Sequence, residues 1–201
     1  MKRIAVVAYG LFTVAGGVLG ATGTRPGSSA VEVAAYNQTH QVLVQLLALV
    51  VFGAGLSLAA WTAAERPPAP GFAGGVLASG SLLLSGLAMW TAAQNADPAV
   101  ARAFTSLSFA AGAFGFAVPL ALLVAAVARL QVRWLAVTGQ VIAALAGLSI
   151  FGMVTDVLYP LIPVGRFGGL IWLVLATFAG RPDHPAAASP PPSMDGLRPA
   201  V

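Results

Sequence analysis

Few side chains in this 201-residue chain can move a proton or hold a charge, and those whose setting suggests chemistry fall in two places. One is the stretch Glu32, Tyr36, Asn37, His40, Gln41 and Gln45, which joins the first two apolar segments. Asn37, Gln41 and Gln45 recur at steps of four, so one helix would align them on a single face. That face is either a hydrated helix entrance, its amides bonded to neighbouring segments, or the polar wall of a cavity. The other place is Asp156, Tyr159 and Arg166. Asp156 ends an apolar segment, where the partial negative charge of a helix C-terminus disfavours an acid. Arg166 is the nearest cation in sequence, and an Asp156–Arg166 pair joining two helices would compensate it. Alternatively, Asp156 acts as general acid or ligand anchor, tuned by Arg166 or Glu32. Tyr159 is then a neighbour of the site, or simply an interfacial ring. The candidate catalytic groups are Asp156 and Glu32; Tyr36, Asn37, His40, Gln41, Gln45, Tyr159 and Arg166 are the candidate binding groups.

Composition removes most other chemistry. Cysteine is absent and there are two histidines, His40 and His184. Thiol nucleophiles, iron–sulfur clusters and zinc–thiolate sites are therefore excluded, and no metal or other cofactor is expected. No phosphate-binding glycine loop and no Gly-x-Ser-x-Gly elbow occurs. The net charge of +4 comes from nine arginines and one lysine against six acids. We read it as flanks facing anionic lipid rather than nucleic acid.

The elements that must position these groups are set by hydropathy. The chain is 58% hydrophobic and 8% charged, against about 45–50% and roughly 25% for soluble domains. A bilayer core of about 30 Å needs roughly 20 apolar residues per helix. Six stretches qualify: Ile4–Ala21, Gln41–Ala64, Phe72–Ala93, Ala103–Ala128, Trp134–Thr155 and Val164–Gly180. The expected fold is an all-α membrane bundle of six transmembrane helices. It would have five if Met1–Ala21 is a cleaved signal, a rival suggested by Ala21-Thr22-Gly23. Residues 1–180 form the domain, and the Pro-rich residues 181–201 read as a disordered cytoplasmic tail. Pro67, Pro68 and Pro70 separate the second and third spans. Asp97-Pro98 reads as a helix restart, with Asp97 as cap.

Basic residues near span ends set orientation. With the N-terminus inside, Lys2, Arg3, Arg66, Arg129, Arg133, Arg181 and Arg198 fall on the inner side and Arg25, Arg102 and Arg166 on the outer. Both termini are therefore expected in the cytoplasm. Arginine excess with abundant Ala, Gly and Pro points to a GC-rich bacterium, hence to the bacterial inner membrane.

Small residues at four-residue spacing, such as Gly16/Gly20, Gly71/Gly75, Gly139/Ala143/Gly147 and Gly165/Gly169, predict close helix contacts. Pro119 should kink the fourth span, and Gln140 should join helices. Leu58-Ala59-Ala60-Trp61-Thr62-Ala63-Ala64 echoes Leu87-Ala88-Met89-Trp90-Thr91-Ala92-Ala93. Trp enrichment at both membrane interfaces accounts for that echo.

The turn Ala128-Arg129-Leu130-Gln131-Val132-Arg133-Trp134-Leu135-Ala136-Val137-Thr138-Gly139 resembles the junction of small bacterial six-span membrane proteins of unknown function. So do the opening Arg3-Ile4-Ala5 and the ending Gly169-Leu170-Ile171-Trp172-Leu173-Val174. Gln131 and Val132 stand where that group has a proline-containing turn. The resemblance implies six spans and assigns no activity and no functional residue.

Two functions are compatible with these features. The first is a structural or accessory protein, bound to membrane lipid and to a membrane protein partner or a second copy of itself. It expects tight packing, a neutralised Asp156 and no sizeable polar-lined cavity. The second is a small intramembrane enzyme or binder for a lipophilic small molecule, working by acid–base isomerisation or cyclisation. It expects a cavity beneath the outer loops with Glu32 and Asp156 facing it. The first stands ahead, because polar residues at a span end need no special role.

Overall fold

The computed structural model describes residues 1–24 and 27–179, and for Asp156 the backbone alone. The tail after Ala179 and the Asp156–Arg166 pairing lie outside the described residues. Six helical segments are long and apolar enough to cross a membrane, and no strand occurs among the described residues. They are α1 (Lys2–Gly20), α3 (Gln41–Glu65), α4 (Ala69–Gln94), the pair α5 (Pro98–Ala110) and α6 (Phe116–Ala128), α7 (Arg133–Leu148) and α8 (Leu161–Ala179). A short helix α2 (Ala30–Thr39) links α1 to α3. Each span lies within a few residues of its expected place, because hydropathy fixes length while caps fix the ends. Pro70 is the exception: it lies inside the first turn of α4, where a missing amide costs nothing. Asp97 caps α5, accepting from the amides of Ala99 at 2.8 Å and Val100 at 3.3 Å.

Successive spans run antiparallel. α3 packs on α1 and α4, α4 on α6, and α8 on α7, α1 and α6. The end that carries the Arg129–Arg133 turn is locked by specific contacts. Lys2 Nζ stands 3.1 Å from Glu65 Oε2, and Arg3 lies over the Phe178 ring. The Trp61 indole donates to Thr177 Oγ1 at 2.9 Å, and that of Trp172 donates to the Leu135 carbonyl at 2.8 Å. Gln140 Nε2 donates to the Ala125 carbonyl at 2.9 Å, joining α7 to α6. Trp90 is 45% exposed as an interfacial ring should be, but Trp61 is 1% exposed. Trp61 therefore packs against neighbouring helices where Trp90 stays open. Its indole N–H is satisfied there by a hydroxyl on α8.

The fourth span departs from a regular helix at a π turn, Ala111–Gly115. Pro119 causes part of this, since it has no amide to donate to the carbonyl four residues back, Gly115. Ser81 Oγ on α4 donates to that carbonyl instead, at 2.8 Å. In lipid no water can replace this bond. Ser81→Ala should therefore cost about 0.6–1.7 kcal/mol. Pro119→Ala in the same chain should recover much of the loss, because residue 119 then supplies its own amide. A double-mutant cycle of unfolding in detergent measures this coupling, and additive losses would refute it.

Candidate functional site

At the other end, which carries α2, the helices separate around a cavity of about 370 Å³. Its walls come from α1, α2, α3, α4, α5, the π turn and α8. Glycines make the room: Gly16, Gly17 and Gly20 on α1 and Gly112 in the π turn all border it. Most of the lining is apolar, including Leu43, Leu47, Val51, Met89 and Phe167. The π turn thus has a consequence beyond its own hydrogen bonds, since it shapes one wall.

The polar lining sits at distinct positions. Thr24, Tyr36 and Asn37 border the cavity beside α2. The buried Asn37 donates to the Ala92 carbonyl at 3.4 Å, which ties α2 to α4. Ser85 donates to the Ser108 carbonyl at 2.8 Å, with the two hydroxyls 3.1 Å apart. Arg166 enters from α8, its guanidinium 5.7 Å from the centre of the Phe116 ring. It lies five residues past Leu161, or about 7.5 Å along the helix.

The expected amide face does not form. His40 breaks the helix, with φ −116° and ψ 31°, so Asn37 belongs to α2 and Gln41 and Gln45 to α3. Gln41 is exposed and Gln45 half-buried, and neither borders the cavity. The step of four held arithmetically, but it needs one continuous helix. His40 is exposed and stacks on Tyr36, ring centres 4.5 Å apart. Tyr159 stands edge-on to Phe109, at 6.4 Å, and near Phe114, at 6.3 Å. It belongs to an aromatic cluster between the fourth span and the start of α8.

Glu32 does not border the cavity either. It closes a capping box: Ser29 Oγ accepts from the Glu32 amide at 3.3 Å, and Glu32 Oε2 accepts from the Ser29 amide at 2.7 Å. The Ser29 amide holds the Glu32 carboxyl below its usual range. A lowered value stabilises the start of α2 above the unfolded pKa of 4.5, and that contribution is lost as pH falls through the folded value. Hydrogen-exchange protection at the start of α2 should therefore begin to fall below pH 4.5 in the wild type. In Glu32→Ala it should be low throughout. Unchanged protection in the variant would show that the box holds nothing.

Sequence reasoning missed two groups. Tyr9 and Thr13 are buried on the same face of α1 as Gly16, one turn apart, and their hydroxyls reach only each other among the described residues. Arg166 lies within electrostatic reach of Tyr9. Polar residues at 9 and 13, one turn apart in an apolar span, were a visible signal. The Ser29-x-x-Glu32 spacing was another, and Arg102 secures the same segment by donating to the Ser28 carbonyl. Among the described residues, no three His, Asp or Glu gather closely enough to hold a metal ion. Compared with known proteins, the sequence matches no family model, no curated protein and no solved structure.

Proposed function

We propose that the chain is a multi-pass integral membrane protein that binds a lipophilic molecule in the cavity beside α2. The cavity itself carries this reading. A volume of about 370 Å³, mostly apolar walls and a few convergent polar groups are the usual marks of a small-molecule site. A purely structural bundle gains stability by closing such a space, because packing is what holds helices together in lipid. Binding suits the site better than acid–base catalysis. Among the described residues no carboxyl and no histidine lines it, and Glu32 is engaged in its cap.

Placement in a bacterial cell membrane with both termini in the cytoplasm rests on composition and on the seven basic residues expected inside against three outside. The α2 end then faces outward. Because the chain lacks cysteine, single introduced cysteines test this cleanly. An impermeant maleimide should label Gln38→Cys in intact cells and Arg129→Cys after permeabilisation. The reverse pattern would invert the scheme.

The binding test is mass spectrometry of lipophilic compounds that survive purification with the protein. Gly16 borders the cavity, and a Cβ there would meet Val50 at an ordinary 3.6 Å. Gly16→Leu should therefore fold, fill the space and shed the compound. A wild type that retains nothing beyond bulk lipid would favour the structural or accessory reading.

A further inference from the structure

We propose that the ligand is a single-chain amphiphile with an anionic head, its carboxylate or phosphate oxygens held by Arg166. This rests on the lipophile-binding reading above and names the class of molecule. A cation placed inside a span is costly unless something compensates it. Arg166 borders the cavity, and the ion pair found among the described residues is Lys2–Glu65, at the opposite end of the bundle. The Phe116 ring offers the guanidinium a π face, which attracts the charge without neutralising it. An anionic head would do both, because a guanidinium matches carboxylate and phosphate oxygens with two parallel hydrogen bonds.

Two further observations agree. Tyr9 and Thr13, on the α1 face that continues into the cavity wall at Gly16, have buried hydroxyls that reach only each other among the described residues. That pair places a polar patch, not a counter-ion, within electrostatic reach of Arg166. The volume of about 370 Å³ lies at the low end for ligand sites, which fits one chain better than two.

The experiment is equilibrium binding to the full chain in an uncharged detergent, with dodecanoate, dodecyl phosphate, dodecanol and inorganic phosphate as probes. Both anionic amphiphiles should bind about 10–100-fold tighter than dodecanol, the range for a hydrogen bond to a charged group. Arg166→Gln should remove that preference, so that the anions bind the variant no tighter than dodecanol does. Should Arg166→Gln fail to stay monodisperse, salt provides the second measurement. Raising it from about 0.1 M to about 1 M should weaken dodecanoate binding and spare dodecanol.

Equal binding of dodecanol and the two anions would overturn the anionic head while leaving the cavity reading intact. Binding of inorganic phosphate as tightly as dodecyl phosphate would overturn the amphiphile. If the anions bind Asp156→Asn and not the wild type, Asp156 is the natural counter-ion and the proposal falls. Failure of every probe on the wild type, with Gly16→Leu behaving identically, would remove the binding reading as well.

Discussion

Trp61→Ala is expected to lower the unfolding free energy by on the order of 3 kcal/mol. In water, such a truncation loses transfer energy and leaves a cavity. In a membrane the separated helices still sit in lipid, so the transfer part shrinks and the cavity part stays. Trp61 is 1% exposed and lies in the central packed cluster. Its neighbours are held by their own helices and cannot collapse far into the space. A polar loss adds to this, because the Trp61 indole bonds Thr177 Oγ1 and so joins α3 to α8. Trp61→Phe separates the two contributions. It keeps most of the ring contacts, drops the hydrogen bond and should cost about 0.6 kcal/mol, the mean for such bonds between membrane helices. Unfolding in graded denaturing detergent measures both. A similar loss for Phe and Ala would show that the hydrogen bond, not the packing, is what Trp61 supplies.

Gly74→Leu should disrupt the bundle by the opposite means. A Cβ at Gly74 would stand 2.6 Å from the Pro119 carbonyl oxygen and 2.8 Å from the Leu123 amide nitrogen. Both are backbone atoms, so no side chain can swing aside to make room. Overpacking costs about 1–3 kcal/mol where side chains can adjust. Here α4 and α6 must part, and we expect the upper end of that range or loss of a monodisperse peak in size-exclusion chromatography. Gly80 lies on the same helix with nothing within 4 Å of its Cβ position. Gly80→Leu should change stability by no more than about 0.5 kcal/mol. If both variants behave alike, helix propensity rather than the α4–α6 approach governs the result. The site would feel this separation too, since α4 bonds the π turn through Ser81 and α5 through Ser85.

The small-residue stripes show how partial the sequence's information was. Gly71 and Gly75 were legible as a contact stripe, yet they serve different partners. A Cβ at Gly71 would meet Ala126 on α6, and one at Gly75 would meet Thr62 on α3. Gly74, outside the four-residue spacing, makes the closest backbone approach to α6. Spacing marks a face that can approach another helix, and the neighbours decide which helix arrives there. Trp61 and Trp90 make the same point with near-identical local sequences. One is buried beside Thr177 and the other is half in the open.

Local chemistry determined the number and position of the spans, the Asp97 cap and the disturbance near Pro119. Hydropathy, capping and the proline ring all act over one or two turns, so each is written in consecutive residues. Tertiary structure alone decided that Arg166 shares a cavity wall with Tyr36 and Asn37, and that Tyr9 and Thr13 are buried within reach of Arg166. Those relations join residues more than a hundred positions apart, through helices whose rotations are set by packing. No local pattern encodes a rotation, because the same apolar face is satisfied by lipid or by a neighbouring helix.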